Sequence, residues 1–544
     1  MIWRIGAIVV AALVALPVLG VSTSLLDWRG EMWRHLADTQ LHEILLNTGL
    51  LLLGVGVGTT VIGAGTAWLV TMHRFPLSRT LEWALLLPLV MPTYVVGYAY
   101  ADLLAYAGPI QGAIRDFTGW GHGDYWFPDF GSAPGVAVLF TLVLFPYVYL
   151  AARAAFLVQS QALLDASRIL GHGPVSTFLR VGLPLARPAI AAGAALALLE
   201  ALADFGTVEY YGVHTFTTAI YRTWYGMGDP SGAAQIAMIL LLIAVVLLLL
   251  ERHSRGGGRV HVAANIRHRS EPSPLAPIRS IVATALCSLP VLFGFVLPVA
   301  HLVRLAVVSG IGLTEESFVR DALHSLVLAS IAAMVIVALA VFLAYAGRLV
   351  RRRAFNRIIE FAVLGYAIPG AVIAVGILLP LIAADRTIDA ASRTLFGVST
   401  GLLLSGTAFA LLLAYTIRFL AVGFANVAPA LAAIDPAMDA SAQILGASPR
   451  EILRRIHLPM LRAPALTAAV LAFVEVLKEL PATLLIRPFN FDTLAVGVYR
   501  YASDERLPQA AVGAVLIVAA SLVPVVLLSR AIARPAATSS RRGP

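Results

Sequence analysis

The sequence predicts an all-α polytopic membrane protein of about twelve transmembrane helices, arranged as two tandem six-helix halves. Three observations predict it. Hydrophobic residues make up 59% of the chain and charged residues 13%, with a mean hydropathy of +0.85, a balance foreign to soluble globules of this size. The apolar residues gather into runs long enough, or nearly so, to cross about 30 Å of hydrocarbon. One polar, arginine-bearing stretch occurs twice, about half a chain apart.

From the N-terminus, residues 1–26 begin basic at Arg4 and turn apolar, with no A-x-A-like cleavage signal, so they read as a first span with its N-terminus inside rather than as a cleaved leader. Further runs lie near 45–70, 81–104, 136–156, 189–205 and 233–250. Gly54, Gly56, Gly58, Gly63 and Gly65 thin the second run, which suits close helix packing better than ligand binding. Residues 251–280 are polar and flexible, with Arg252, Arg255, Arg259, Arg267, Arg269 and Arg279, and read as a cytoplasmic linker. Six runs follow, near 281–303, 323–346, 358–383, 400–424, 466–485 and 510–528, then a cytoplasmic tail at 535–544. The halves are therefore 1–250 and 281–534. Met91-Pro92 and Ile368-Pro369 fall inside the third and ninth runs, where proline should kink or break the helix, beside a pathway or simply for packing.

Arginines fix the orientation. The inner ends carry Arg74, Arg79, Arg153, Arg180, Arg187, Arg348, Arg357, Arg418 and others beside the linker set. The smaller outer set includes Arg29, Arg34, Arg115, Arg222, Arg487 and Arg500. This positive-inside bias puts both termini in the cytoplasm. An even number of spans returns the chain to its starting side, so the halves run in the same sense about an axis along the membrane normal, with a pathway expected between them.

The repeated stretch occupies 160–188 and 434–464 and faces the cytoplasm in this topology. At one constant spacing Gly171 matches Gly446, Pro174 matches Pro449, Arg180 matches Arg455, Pro184 matches Pro459, and Ile169-Leu170 matches Ile444-Leu445. Asp435 suits an N-cap with Pro436 in the first turn. Gly446 suits a left-handed cap. Ser448-Pro449-Arg450-Glu451 reads as a capping box, and Leu458-Pro459 should close the second helix. Two short helices at an angle are expected in each copy. A plain basic turn would share the composition but not the duplicated spacing and capping.

The loop resembles the EAA loop of ABC-importer permeases, an acidic-Ala-small triplet followed by Gly and later Leu-Pro. Asp165, Ala166, Ser167, Gly171 and Pro184 fit it in the first copy, and Ser441, Ala442, Gly446 and Pro459 in the second. There Ala440 replaces the acid and Asp439 lies one residue early, which puts that acid's contact with the ATPase in doubt. Longer stretches, ADFGTVEYYGVHTFTTAIYRTWYGMGDP, KELPATLLIRPFNFDTLAVGVYRYASDERLP and MPTYVVGYAYADLLAYAGPIQ, are similar to fused permeases of ferric-iron importers. Thiamine importers have closely similar fused permeases. The resemblance implies a membrane subunit of two permease repeats, a cytoplasmic ABC ATPase dimer engaging the two loops with ATP and Mg on that partner, and a periplasmic or lipid-anchored substrate-binding protein. It implies no nucleic-acid partner and no cofactor on this chain.

Lys478 is the only lysine among 39 basic residues and stands between Leu477 and Glu479, so the chain has no Gly-Lys-Ser/Thr phosphate loop and no ATPase of that kind. The lone Cys287 can form neither an intrachain disulfide nor a metal cluster by itself.

After each loop comes a span with two acids one helical turn apart, Glu200 with Asp204 and Glu475 with Glu479, expected on one helix face. Ionised groups at such depth face the interior or a water-filled cavity. They either line a cation path or brace the bundle through Lys478 and backbone groups. Carboxylates suit a hard cation such as ferric ion, but a tight all-carboxylate site would not release it, so transient contact is expected rather than a tight metal site. On the outer side Tyr221-Arg222 and Tyr499-Arg500 echo one another, as anchors for a binding protein or as interfacial aromatics with snorkelling arginines. Besides an ABC importer, a twelve-span secondary transporter and a membrane scaffold fit the composition. The first needs no duplicated cytoplasmic helix pair, and the second gains nothing from buried acids.

Overall fold

The computed structural model describes residues 2–121, 123–159, 161–254, 272–310, 315–350 and 352–533. The 255–271 stretch of the expected linker, with Arg255, Arg259, Arg267 and Arg269, and the 535–544 tail lie outside them. Among the described residues nine helices are long and apolar enough to cross a membrane, or eleven if two bent pairs each count as one span, and the apolar helix Leu507–Ala533 stands beyond these. Each expected run has a helical counterpart. The bent pairs are Ser78–Val90 with Thr93–Thr118, at 91°, and Pro449–Met460 with Arg462–Leu477, at 74°. Met91-Pro92 makes the first bend, since Pro92 is the extended N-cap of the Thr93–Leu104 helix. Ile368-Pro369 likewise separates the amphipathic helix Arg353–Ala362 from Gly370–Phe396, so the ninth span begins later than expected.

The chain forms two compact units, each drawing on both sequence halves. One contains Met1–Leu36, Ala219–Leu242 and Ile311–Arg500. In it the first helix, Ile2–Thr23, crosses Gly370–Phe396 at two glycines. A Cβ on Gly20 would stand 1.9 Å from the Gly376 carbonyl oxygen, and one on Gly376 would stand 2.1 Å from that of Pro17. Nothing larger than glycine allows this approach. A buried cluster in this unit gathers Tyr345, Phe355, Leu420, Leu431 and Leu461.

The other unit contains Ala37–Thr218, Ile243–Gly310 and Tyr501–Pro544. Leu41–Met72 packs along Ala133–Leu157, and the glycines of the second run partly explain how. Added Cβ atoms at Gly54, Gly58 and Gly63 would collide with Ala137, Thr141 and Val148, whereas Gly65 faces open space. Trp68, Phe145, Tyr149 and Phe156 belong to one buried cluster of this unit. The only strand pairing among the described residues joins His73–Arg74 to Ser273–Pro274.

Candidate functional site

The duplicated loops fold as helix, left-handed glycine, helix. In the first copy, Gln161–Ile169 ends before Gly171 at φ +81°, and Pro174–Thr177 begins the next helix. In the second, Pro436–Ile444 starts with Asp435 Oδ1 accepting the Ala437 N–H at 2.8 Å and ends before Gly446 at φ +84°. The capping box of Ser448 and Glu451 is complete. His172 N–H reaches the Ser167 carbonyl and Ala447 N–H that of Ala442, the same closing hydrogen bond in both.

The expectation that Leu-Pro closes the second helix is corrected. Phe178–Gly182 and Leu453–His457 are single wide turns in which Leu183 and Leu458 donate to the carbonyls five residues back. Proline has no N–H and its ring crowds the carbonyl four residues before it. The wide turn moves that carbonyl aside and the helix runs through Pro184 and Pro459. In the first copy it continues unbroken as the span Pro174–Ala203, while the second bends at Leu461.

Each loop presents an apolar tip. Ile169 and Leu170 are 85% and 76% exposed, and Ile444 and Leu445 are 85% and 86% exposed. The triplet residues sit just before the tip. Ala166 and Ser441 are exposed and Asp165 and Ala442 half-buried, while Ser167 is buried with its hydroxyl 3.1 Å from that of Thr177.

The two loops are seated differently. Asp439 points inward: Oδ2 accepts Arg348 Nε at 2.7 Å and Oδ1 lies 2.8 Å from His457 Nε2. Arg348 also donates to the Leu431 and Ile434 carbonyls. His457 is fully buried against the edge of Tyr345, whose hydroxyl donates to the Pro449 carbonyl. Burial raises the Asp439 pKa, but the hydrogen bonds from Arg348 and His457 outweigh it and hold the carboxyl below its ordinary value. In the first copy Leu164, buried in the Trp68 cluster, occupies the place of Asp439. Gly182 stands where His457 does, and a Cβ there would meet Trp68 at 2.4 Å. Sequence reading missed Arg348 and His457, because nothing local marks them as partners of Asp439.

The acid pairs are not on one helix face. Leu183–Ala203 ends one residue before Asp204, and Arg462–Leu477 ends before Glu479. Glu200 and Glu475 lie in the last turns, half-buried. Glu475 pairs with Lys478 at 2.8 Å. Asp204 and Glu479 are buried past the break and cap the short helices Gly206–Tyr210 and Pro481–Ile486. Asp204 accepts the N–H groups of Thr207 and Val208 at 3.0 and 3.3 Å and the hydroxyls of Thr207 and Thr93 at 3.0 and 2.6 Å. Glu479 accepts the N–H groups of Ala482 and Thr483 at 2.9 and 3.0 Å and the Thr483 hydroxyl at 2.6 Å. A helix that restarts inside a membrane leaves N–H groups that need an acceptor, and a carboxylate satisfies several at once.

Arg418 was expected at an inner end. It lies instead inside Ala408–Ala432, 9% exposed, with Nη1 3.7 Å from Glu479 Oε1. Buried Val143 takes its place in the first half, where hydroxyls of Thr93 and Thr207 and the N–H groups of Thr207 and Val208 hold Asp204.

The outer pairs also separate. Tyr221 is buried and its hydroxyl donates to the Pro481 carbonyl, so it offers no anchor at the surface. Arg222 and Tyr499 are half-buried. Arg500 is exposed and bonds to Asp492. Among the described residues no three His, Cys, Asp or Glu side chains converge on a metal position.

Two tandem sets of apolar spans, each with a helix-glycine-helix loop ending in an apolar tip and an acid-capped break, define a duplicated membrane protein. The family described as binding-protein-dependent transport system inner membrane component matches residues 59–256 and again 336–536, and the chain belongs to it. The chain is 26% identical to the Fe(3+)-transport system permease protein FbpB 2 of Haemophilus influenzae over 90% of both chains. It is also 26% identical to a probable ABC transporter permease, y4fN, of Sinorhizobium fredii over 90% of this chain and 88% of that one. The molybdenum transport system permease ModB of Escherichia coli is 30% identical over 41% of this chain and 99% of its own length, so a relative of single-half size matches part of a duplicated chain. The chain is thus the multi-pass translocation subunit of a binding-protein-dependent ABC importer. ATP hydrolysis belongs to a separate subunit, and a substrate-binding protein is a further partner.

Proposed function

We propose that this subunit imports ferric iron across a bacterial cytoplasmic membrane, with both termini inside. The observation that carries the mechanism is the pair of exposed Ile-Leu tips, Ile169-Leu170 and Ile444-Leu445, each held on a left-handed glycine. Short apolar tips on stiff capped helices suit insertion into a cleft on each copy of a cytoplasmic ATPase dimer, which holds the ATP and Mg. Asp165, Ala166, Ser167, Gly171 and Pro184, with Ser441, Ala442, Gly446 and Pro459, form these coupling elements. ATP-driven closure of the dimer pushes the loops and turns the pathway outward. The permease halves are 1–250 and 281–534. The names of relatives that match 90% and 86% of this chain support ferric ion.

Asp204 and Glu479, with their oxygens taken by helix N–H groups and threonines, fix the broken spans. Glu200 and Glu475, half-buried one turn earlier, meet a passing cation briefly. A periplasmic or lipid-anchored binding protein delivers the ion to the outer face, where Arg500 and Arg222 contribute to docking. The test is uptake by proteoliposomes holding the chain and its ATPase, with iron-loaded or thiamine-loaded binding protein outside. ATP-dependent iron accumulation is the expected result. Thiamine uptake overturns the substrate, and uptake without ATP overturns the coupling mechanism.

A further inference from the structure

The turn from Arg487 to Thr493 joins two buried helices yet carries a fully solvated aromatic side chain. Phe489 is 93% exposed. On either side the chain is core: Leu480, Ala482, Thr483, Leu485 and Ile486 precede the turn, and Leu494, Ala495, Val496 and Val498 follow it, all buried. The turn therefore emerges directly from packed segments of its unit. The matching turn of the first half, Tyr211 to Thr215, is shorter, pivots on Gly212 at φ +67°, and buries Val213. Of these two turns, only that of the second half carries a projecting ring.

The turn is rigid by construction. Asn490, at φ +60°, reverses the chain behind Phe489, a conformation asparagine tolerates better than most residues. Phe491 stacks on His324 with ring centroids 4.2 Å apart and planes within 12°, and His324 Nδ1 donates to the Asp492 carbonyl at 3.0 Å. Asp492 accepts from both Arg487 and Arg500, and Asp321 lies 3.9 Å from Arg500. The carboxylates of Asp492 and Asp321 are 11% and 6% exposed, whereas the guanidiniums of Arg487 and Arg500 are 34% and 44% exposed. The negative charge faces inward and the positive charge outward, around one apolar tip.

A solvated phenyl ring on an ordered turn adds no packing to the free protein, and a preorganised aromatic beside arginines has the composition of an interface anchor. We infer that Phe489 is the docking anchor of the second half, inserting into an apolar socket rimmed by carboxylates on the substrate-binding protein. The inference rests on the importer reading above and names the residue and the partner's chemistry.

The test uses the full chain with its ATPase in nanodiscs, titrated with iron-loaded binding protein while ATP hydrolysis is followed. For wild type, Phe489→Leu, Phe489→Ala and Phe489→Asp, the half-saturating concentration of binding protein is read. The expected result is a small change for Leu and a rise of about tenfold or more for Ala and Asp, the range of a truncated anchor. Carboxylate-to-amide changes around the partner's socket should raise it further in wild type and little in Phe489→Ala. Coincident curves for all four chains overturn the inference and leave the importer reading standing. A wild-type complex that binding protein does not stimulate overturns both. Unchanged stimulation together with lipid-headgroup photolabelling at Phe489 identifies the ring as a membrane anchor and overturns it as well.

Discussion

Asp439→Ala removes the carboxylate that both Arg348 and His457 contact, at 2.7 and 2.8 Å. Removing one partner of a buried ion pair costs about 3–5 kcal/mol, because the other charge stays buried. Here the lower end applies. Asp439 is 16% exposed, and Arg348 keeps the carbonyls of Leu431 and Ile434 at 2.8 and 3.0 Å. The loss falls on the seating of Pro436–Ile444, which buries none of its own residues and has little else to hold it. About 3 kcal/mol is roughly a hundredfold in the local opening equilibrium, so amide hydrogen exchange across Pro436–Ile444 should quicken by about that factor. The same amides in Gln161–Ile169, seated by Leu164, should not respond. Arg348→Met in the Asp439→Ala background should add much less than it does alone, since the two act on one network. If exchange across Pro436–Ile444 stays within about twofold of wild type, the carboxylate does not seat the helix and the comparison between the two loops fails.

Three further outcomes are expected. Because the Asp439 pKa is depressed in the folded chain, its contribution is complete above the unfolded aspartate value of about 3.9 and is lost as pH falls through the lower folded value; the exchange difference between wild type and Asp439→Ala should hold from neutral pH to about 5 and shrink only below 4. Gly446 has open space around its Cβ position but sits at φ +84°, so Gly446→Leu meets backbone strain of about 1–2 kcal/mol without a clash and should uncouple uptake from hydrolysis, with Gly446→Asn intermediate; uptake of Gly446→Leu equal to wild type refutes the need for the bend. Asp204→Ala strips the cap of Gly206–Tyr210 and should cost about 1–2 kcal/mol, seen as a lower melting temperature in detergent, whereas Glu475→Ala gives up a Lys478 pair worth about 0.2–0.5 kcal/mol and should change iron uptake with little change in melting.

The duplication, the apolar spans, the left-handed Gly171 and Gly446 and the Ser448 capping box were all legible because each is written in residues within a turn or two of one another. Helix caps and glycine conformations are local, and membrane spans need only a run of apolar side chains. The site was legible as far as its parts are local. The acid pairs were visible, but a one-turn spacing implied a shared helix face only while the helix was assumed to continue. It stops at Ala203 and Leu477, and the second acid of each pair becomes a cap.

Other features depended on partners far along the chain. Arg418 looked like one more inner arginine until Glu479, from another span, was found beside it. Asp439 looked like a displaced copy of Asp165 until Arg348 and His457 turned it inward. Tyr221-Arg222 and Tyr499-Arg500 matched as text, yet one tyrosine is buried against Pro481 and one arginine is tied to Asp492. The sequence by itself determined the all-α membrane architecture and the two duplicated loops, since apolar patterning and capping act over a few residues. The tertiary structure decided which charges brace the fold and with which partners, because the free energy of a buried charge is set by the groups that surround it in space.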